Sequence, residues 1–286
     1  MDDHELARDL AEQAGRRLVE LRERGSDPDL LRKNGDRRSH EFLVVELGAR
    51  RPRDFVLSEE AADNPARLAA DRVWIVDPLD GTREFGETGR TDWAVHVALW
   101  ERGAGLTAGA VALPAQDRVL STLNPPAPVP GPPAPVPRPP ATVPRPPAPV
   151  PRPNHEMSGL GENVGADGGA DRTGVASLRV VVSRTRAPQF VRAMGVDVFP
   201  MGSAGAKAAA VLRGEADAYI HAGGFFEWDT AAPVAVARAA GFHASRIDGS
   251  ALAYNQADLL MPDILVCRPA LAGPLLQAIR EVTHAH

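Results

Sequence analysis

The stretch Val73-Trp-Ile-Val-Asp-Pro-Leu-Asp-Gly-Thr82 decides the fold of this 286-residue chain. Its first four residues are apolar, and most are β-branched or aromatic, which predicts a short buried strand. Pro78 cannot donate a ladder hydrogen bond, so the sequence predicts that the strand ends in a turn there. Two carboxylates, Asp77 and Asp80, fall at this end beside Gly81, a residue that permits close backbone approach to an anion.

Two carboxylates next to an anion-binding turn repel each other, and they also repel the bound anion. A divalent cation removes both conflicts, because Mg²⁺ prefers one or two carboxylates together with phosphate oxygens. The alternative is an acidic turn that only closes a core strand. From this stretch alone both interpretations stay open.

Two further acidic motifs accompany this stretch along the chain. A strand predicted at residues 55 to 57 ends in Ser58-Glu59-Glu60, and Glu227-Trp228-Asp229 opens an apolar helix much later. The three motifs, in this order, resemble those of the inositol monophosphatase-like, Mg²⁺-dependent, lithium-sensitive phosphatases. The run Asp77-Pro-Leu-Asp-Gly-Thr-Arg-Glu-Phe85 is most similar to the CysQ-type branch, the 3′(2′),5′-bisphosphate nucleotidases. The resemblance covers most of the chain outside residues 124 to 176.

The resemblance implies a fold and a set of metal ligands. The fold is of the α/β (α+β) class, an alternating αβαβα layered sandwich. Two or three Mg²⁺ ions per site are implied, held by the carboxylates of Glu59, Asp77, Asp80 and Asp229 and by the carbonyl of Leu79. By composition alone Asp229 would be no more than the N-terminal cap of its helix.

The resemblance also implies how the reaction proceeds. Water is the nucleophile, held near the Thr82 hydroxyl and Glu60, while the N–H groups of Gly81 and Thr82 bind the scissile phosphate. The family's water-orienting aspartate falls at His40 on a simple alignment, and the nearest carboxylate is Asp36. Residues 35 to 40 are predicted to precede the second helix, so Asp36 is either this catalytic group or a turn residue or cap. His40 is predicted to face solvent.

Three residues of the second half are predicted to bind substrate: Ser183, Ser203 and Lys207. Ser203 caps a predicted helix whose N-terminal N–H groups attract anions. Lys207 lies one turn later and is either a phosphate ligand or an exposed helix lysine. A bisphosphate nucleotide offers a second phosphate to these groups. The predicted reaction is therefore hydrolysis of the 3′-phosphate of 3′-phosphoadenosine 5′-phosphate. The alternative substrate is inositol monophosphate or another sugar phosphate, for which the metal site would be the same.

Composition narrows the class of protein further. A formal net charge of −5 gives no basic surface of the kind that binds nucleic acid or an anionic membrane. The sequence has no apolar run of membrane-spanning length and no signal-peptide pattern, which predicts a cytoplasmic location. The single cysteine, Cys267, lies in an apolar run and is predicted to be a buried structural thiol.

Residues 125 to 152 form a proline-rich repeat of seven-residue units. Proline at this density predicts polyproline II structure, and residues 124 to 176 are interpreted as a disordered low-complexity insertion. It separates an N-terminal half, residues 1 to 123, which carries the metal-binding motifs, from a C-terminal half, residues 177 to 286, which completes the active site. A ligand for a proline-binding module is the alternative, with the chain then acting as a non-catalytic scaffold. A homodimer is a further candidate assembly.

Overall fold

The computed structural model of the protein describes residues 1–25, 27–127 and 178–284. The predicted insertion therefore lies, from residue 128 onward, outside the described residues. The α-helices of the described part are α1 (Asp3–Glu23), α2 (Pro28–Arg50), α3 (Thr82–Gly86), α4 (Gln189–Ala193), α5 (Ala204–Leu212), α6 (Glu227–Ala239) and α7 (Pro269–His284). The strands are β1 (Phe55–Ser58), β2 (Arg72–Asp80), β3 (Ala94–Glu101), β4 (Gly105–Leu113), β5 (Arg118–Ser121), β6 (Arg179–Ser183), β7 (Asp197–Met201), β8 (Ala218–Phe226), β9 (His243–Ser245) and β10 (Leu260–Cys267).

The strands form two sheets, one from each half of the chain. The first has the order β1-β2-β3-β4-β5 and is antiparallel except for the parallel pair β1 and β2. The second has the order β7-β6-β8-β10-β9, in which β6 pairs in parallel with both β7 and β8. The predicted hairpin of β3 and β4 is confirmed.

Three apolar clusters fix the layers. Helices α5 and α6 pack between the two sheets in one shared core, which contains residues of both halves. Helices α1 and α2 cover the outer face of the first sheet, and α4 and α7 cover the outer face of the second. The predicted αβαβα sandwich is therefore confirmed. Cys267 is fully buried in the last cluster, and burial raises the pKa of its thiol to about 12. No helix of the described ranges is long and apolar enough to span a membrane.

Strand β2 continues through Pro78 as far as Asp80, so the predicted turn at Pro78 is wrong. The register against β3 shifts by one residue between Asp77, which pairs with His96, and Asp80, which pairs with Ala94. Such a bulge accommodates Pro78, which cannot donate a hydrogen bond to the neighbouring strand, and it changes the direction of the side chains that follow. In a regular strand, residues three apart face opposite sides; here the bulge turns both aspartates to the α5/α6 side.

Helix α2 begins at Pro28 and is longer than predicted. The Asp27 side chain caps it by accepting hydrogen bonds from the N–H groups of Asp29 and Leu30, and proline suits the first helical turn. Asp36 therefore lies inside the helix, and its interpretation as a turn residue or cap is wrong. A Cβ at the neighbouring Gly35 would lie 2.8 Å from side-chain atoms of Leu79 and Phe85, so glycine lets α2 approach the end of β2.

Candidate active site

Four carboxylates from three elements meet at one end of the first sheet. Glu59 follows β1, Asp77 and Asp80 close β2, and Asp229 lies in the first turn of α6. Burial and the charges of Asp229, Asp80 and Glu60 raise the pKa of Glu59 to about 8, although a hydrogen bond with Asp77 opposes the shift. Burial and the charge of Asp80 raise the pKa of Asp229 to about 6. Burial and the charge of Glu59 also raise the pKa of Asp77 well above its usual value.

Raised pKa values across such a cluster mean that the folded protein lacks enough local positive charge to hold all four groups ionised. The donor set consists of carboxylates and, at Leu79, a nearby carbonyl, which are the hard oxygen ligands that Mg²⁺ selects. The residues therefore fit a site for divalent cations. Asp77 and Asp80 also belong to a compact group with His96, whose ligand atoms lie within 4.8 Å of one another.

Asp80 differs from the other three because its charge is already compensated. Burial by itself would raise its pKa, but the charges of His96 and Lys207 and a hydrogen bond from Ser203 lower it to about 2. The Ser203 hydroxyl and the N–H of Gly205, 2.8 Å away, both donate to Asp80 Oδ2. The anion at the N-terminus of α5 is therefore Asp80 itself, and Ser203, which is 1% exposed, contacts this carboxylate directly.

The Thr82 hydroxyl lies between two of the predicted site groups. Its Oγ1 is 3.1 Å from Asp36 Oδ1 and 3.0 Å from the carbonyl oxygen of Leu79. Burial and the charge of Glu60 raise the pKa of Asp36 to about 6. His40 contacts a different group, since its Nδ1 is 2.9 Å from Ser58 Oγ, and it is half-buried rather than solvent-facing. Asp36 thus occupies the position beside Thr82 that a water-orienting carboxylate would need.

A cleft of about 250 Å³ opens beside the carboxylates. It is lined by Asp80, Gly81, Thr82, Ser183, Arg186, Lys207, Tyr219, His221, Phe225 and Asp229, among others. Gly81 has a φ of +86°, a left-handed conformation that favours glycine. Ser183 Oγ accepts a hydrogen bond from the N–H of Arg186. Predicted site residues of both halves thus border one cleft, although Glu59, Asp77 and Ser203 do not line it. A larger cavity of about 870 Å³ lies elsewhere, between the end of α2 and the start of β1.

Lys207 is not an exposed helix lysine, because only 3% of it is accessible. Its Nζ donates to the carbonyl oxygens of Gly202 and Ser203 and lies 5.3 Å from the Tyr219 ring centre. Burial lowers its pKa to about 8, while the charges of Asp80 and Asp229 oppose the shift. A phosphate bound to Lys207 would have to compete with these carbonyls.

Two buried residues that sequence reasoning missed hold α6 in place. Glu227 is fully buried and accepts hydrogen bonds of 2.7 Å from the N–H groups of Asn255 and Gln256. Arg67, 1% exposed, donates to Asn255 Oδ1 at 2.6 Å. Glu227 stands two residues before Asp229, so this network fixes the start of the helix that carries the carboxylate. The charge of Glu227 beside apolar residues was the available signal in the sequence, but its partners Asn255 and Gln256 are distant in sequence.

Comparison with known proteins agrees with this arrangement. The model of the inositol monophosphatase family matches residues 5–284. The chain belongs to the inositol monophosphatase family. The match begins in α1 and ends in α7, so every element that carries a site residue falls within the family match.

Among curated members of the inositol monophosphatase family, two mycobacterial proteins are similar over most of this chain. The 3′-phosphoadenosine 5′-phosphate phosphatase of Mycobacterium leprae is 44% identical, and the alignment covers 99% of this chain and 95% of that protein. The protein of the same name from Mycobacterium tuberculosis is also 44% identical, over 94% of this chain and 90% of its own length. Among solved structures, inositol monophosphatase II of Staphylococcus aureus superposes with a TM-score of 0.71 at 18% identity, covering 97% of this chain and 95% of that one. This last similarity shows the fold.

His221, on the cleft wall of this family member, is expected to make the stability of the protein depend on pH. Burial lowers its pKa to about 4, with the charge of Lys207 contributing. Between pH 6.5 and pH 4 the unfolded chain therefore binds a proton that the folded protein does not, so stability falls as the pH is lowered. From pH 7 to pH 5 we expect this group to remove about 2 kcal/mol of unfolding free energy.

Urea unfolding at the two pH values tests this expectation. His221→Phe should lose that part of the pH dependence, whereas His284→Phe, at the exposed end of α7, should retain it. An unchanged pH dependence in His221→Phe would show that other groups cause the effect.

Proposed function

We propose that this protein is a metal-dependent phosphomonoesterase that hydrolyses the 3′-phosphate of 3′-phosphoadenosine 5′-phosphate. The observation that carries the proposal is the near full-length similarity to relatives named for this activity. The carboxylate cluster beside a cleft supports the reaction type, since phosphate monoesters are exceptionally unreactive and need strong electrostatic stabilisation. Mg²⁺ is the proposed metal.

The side chains of Glu59, Asp77, Asp80 and Asp229 would hold the metal ions, together with the Leu79 carbonyl. When bound, divalent ions would neutralise negative charge in the site and lower the pKa of a bound water. Asp36 and Thr82 orient the attacking water, and Asp36, with its raised pKa, can accept a proton near neutral pH. The negative charge of Glu60 helps to raise the pKa of Asp36. The N–H groups of Gly81 and Thr82 bind the scissile phosphate.

The second phosphate of the nucleotide is assigned to the part of the cleft lined by Ser183, Lys207 and Arg186. Ser203, which is 1% exposed and donates to Asp80, does not line the cleft. Arg184, nearby, is neutralised by salt bridges to Glu84 and Glu87, at 2.9 and 2.7 Å. Arg186 has no carboxylate partner among the described residues, and its guanidinium contacts only the carbonyl of Gly224. The positive charge of Arg186 is therefore available to an anionic ligand.

Phosphate release from a panel of phosphomonoesters, with Mg²⁺ present, tests the proposal. We expect kcat/KM for 3′-phosphoadenosine 5′-phosphate to exceed that for inositol monophosphate by about tenfold or more, because the second phosphate adds binding energy in the transition state. The reverse preference would favour the inositol or sugar phosphatase alternative. No release from any substrate would favour the scaffold alternative. Binding of the 125–152 repeat to a proline-binding module, and homodimer formation, stay predictions.

A further inference from the structure

His96 is a histidine in an otherwise apolar stretch of β3, and it is completely buried. Its neighbours on the same face of the strand, Ala94 and Ala98, belong to the core between the two sheets. A polar side chain at such a position needs partners, because burying an unsatisfied polar group is costly. Both ring nitrogens of His96 face groups of the candidate active site.

Each nitrogen contacts a different half of the carboxylate cluster. Nδ1 lies 3.2 Å from the carbonyl oxygen of Trp228, the residue directly before Asp229 in α6. A carbonyl oxygen can only accept, so Nδ1 is the donor in this bond. Nε2 lies 3.1 Å from Oδ2 of Asp80, at the end of β2, which is an ion-pair distance without hydrogen-bond geometry. The imidazole ring therefore spans two elements that are distant in sequence but that both supply carboxylates.

Gly205, at the N-terminus of α5, packs against Nε2 and the same Asp80 oxygen. A Cβ at Gly205 would lie 2.2 Å from Nε2, so only glycine lets the N-terminus of α5 cover the ring. The N–H of Gly205 donates to the same oxygen, Asp80 Oδ2. With three groups converging on Oδ2, the other carboxylate oxygen of Asp80 is left for a ligand. None of these contacts involves Glu59 or Asp77.

We propose that His96 is a positioning residue that fixes Asp80 and the Asp229-bearing start of α6 relative to each other, so that both carboxylates can hold the same group of metal ions. The proposal rests on the metal-dependent function proposed above. Groups that contact metal ligands from outside the coordination shell and orient them typically contribute 10- to 100-fold to metal affinity. Loss of His96 should therefore weaken metal binding without removing any ligand.

The test is a calorimetric titration of the chelator-treated full-length protein with Mg²⁺. In His96→Leu we expect the Kd for Mg²⁺ to rise about tenfold or more, because Asp80 and Trp228 both lose their contact. His96→Asn keeps an amide donor that can reach one of them, and we expect it to recover part of that loss. His243→Leu, which removes a half-buried histidine whose ring is 2.8 Å from Ser245 Oγ, is the matched control and should bind Mg²⁺ like the wild type.

A Kd in folded His96→Leu within about threefold of the wild type would overturn the proposal, as would an asparagine variant as weak as the leucine variant. Should His96→Leu not fold, Gly205→Ala provides the test, because its Cβ would push the ring away from Asp80 while His96 remains. Gly48→Ala, where a Cβ would meet nothing within 4 Å, is its control. Mg²⁺ binding is measured without substrate, so a wrong substrate assignment in the panel of phosphomonoesters would leave this result intact.

Discussion

Asp80→Asn is expected to lower kcat for phosphate release by about 10³ or more. The substitution removes the one carboxylate of the cluster whose pKa is lowered, and with it the charge that would hold a metal ion against the transferring phosphate. The amide keeps one oxygen that can accept from Ser203 and Gly205, but its other atom is an N–H₂ donor that cannot bind a cation. Steady-state phosphate release with Mg²⁺ measures the loss, and excess chelator should abolish activity in the wild type until Mg²⁺ is restored.

Asp71→Asn is the matched control, because the side chain of this aspartate is 87% exposed and forms a salt bridge with Arg102. It should retain full activity. The unfolding midpoint of both variants, measured in chelator, separates a catalytic loss from misfolding. Full wild-type activity in excess chelator, or an Asp80→Asn enzyme within tenfold of the wild type, would contradict the metal-dependent mechanism.

Asp36→Asn is expected to lower kcat by on the order of 10² to 10³, the usual range for the loss of a general base. The carboxylate lies 3.1 Å from the Thr82 hydroxyl, and its raised pKa suits proton transfer near neutral pH. An amide in its place can still hydrogen-bond to Thr82 but cannot accept a proton. KM and the Mg²⁺ requirement should change much less than kcat, because Asp36 is not among the proposed metal ligands.

His40→Ala is the informative comparison, since His40 and Asp36 were the two candidates for the family's water-orienting residue. His40 contacts Ser58 rather than Thr82, so its removal should lower kcat by less than about tenfold. Equal losses in the two variants would show that the residue beside Thr82 is not the decisive one. A larger loss in His40→Ala would assign the role to the histidine.

Sequence reasoning succeeded where the informative residues are close together in the chain. The run from Val73 to Thr82 predicted a buried strand that ends in two carboxylates, because an apolar run and the acidic residues that follow it are local properties. It failed at Pro78 for a related reason: a single proline is compatible with a turn or with a bulge, and the pairing register with β3 decides between them. The prediction that Asp36 precedes the second helix failed for a similar reason. The glycine before it, Gly35, packs closely against Leu79 and Phe85, and the helix sequence alone does not show this contact.

The sequence by itself determined the family and the layered fold, and it predicted the acidic residues of the site, because three ordered motifs carry that information without reference to their contacts. Only the tertiary structure decided which groups those acids meet. Ser203 was predicted to bind substrate phosphate, yet its hydroxyl contacts Asp80, 123 positions away in sequence. His96 carried no motif and lies beside Asp80 and Trp228. The physical reason is that a buried charge takes its partners from whichever elements pack against it, and the packing of two sheets around α5 and α6 is a property of the whole chain.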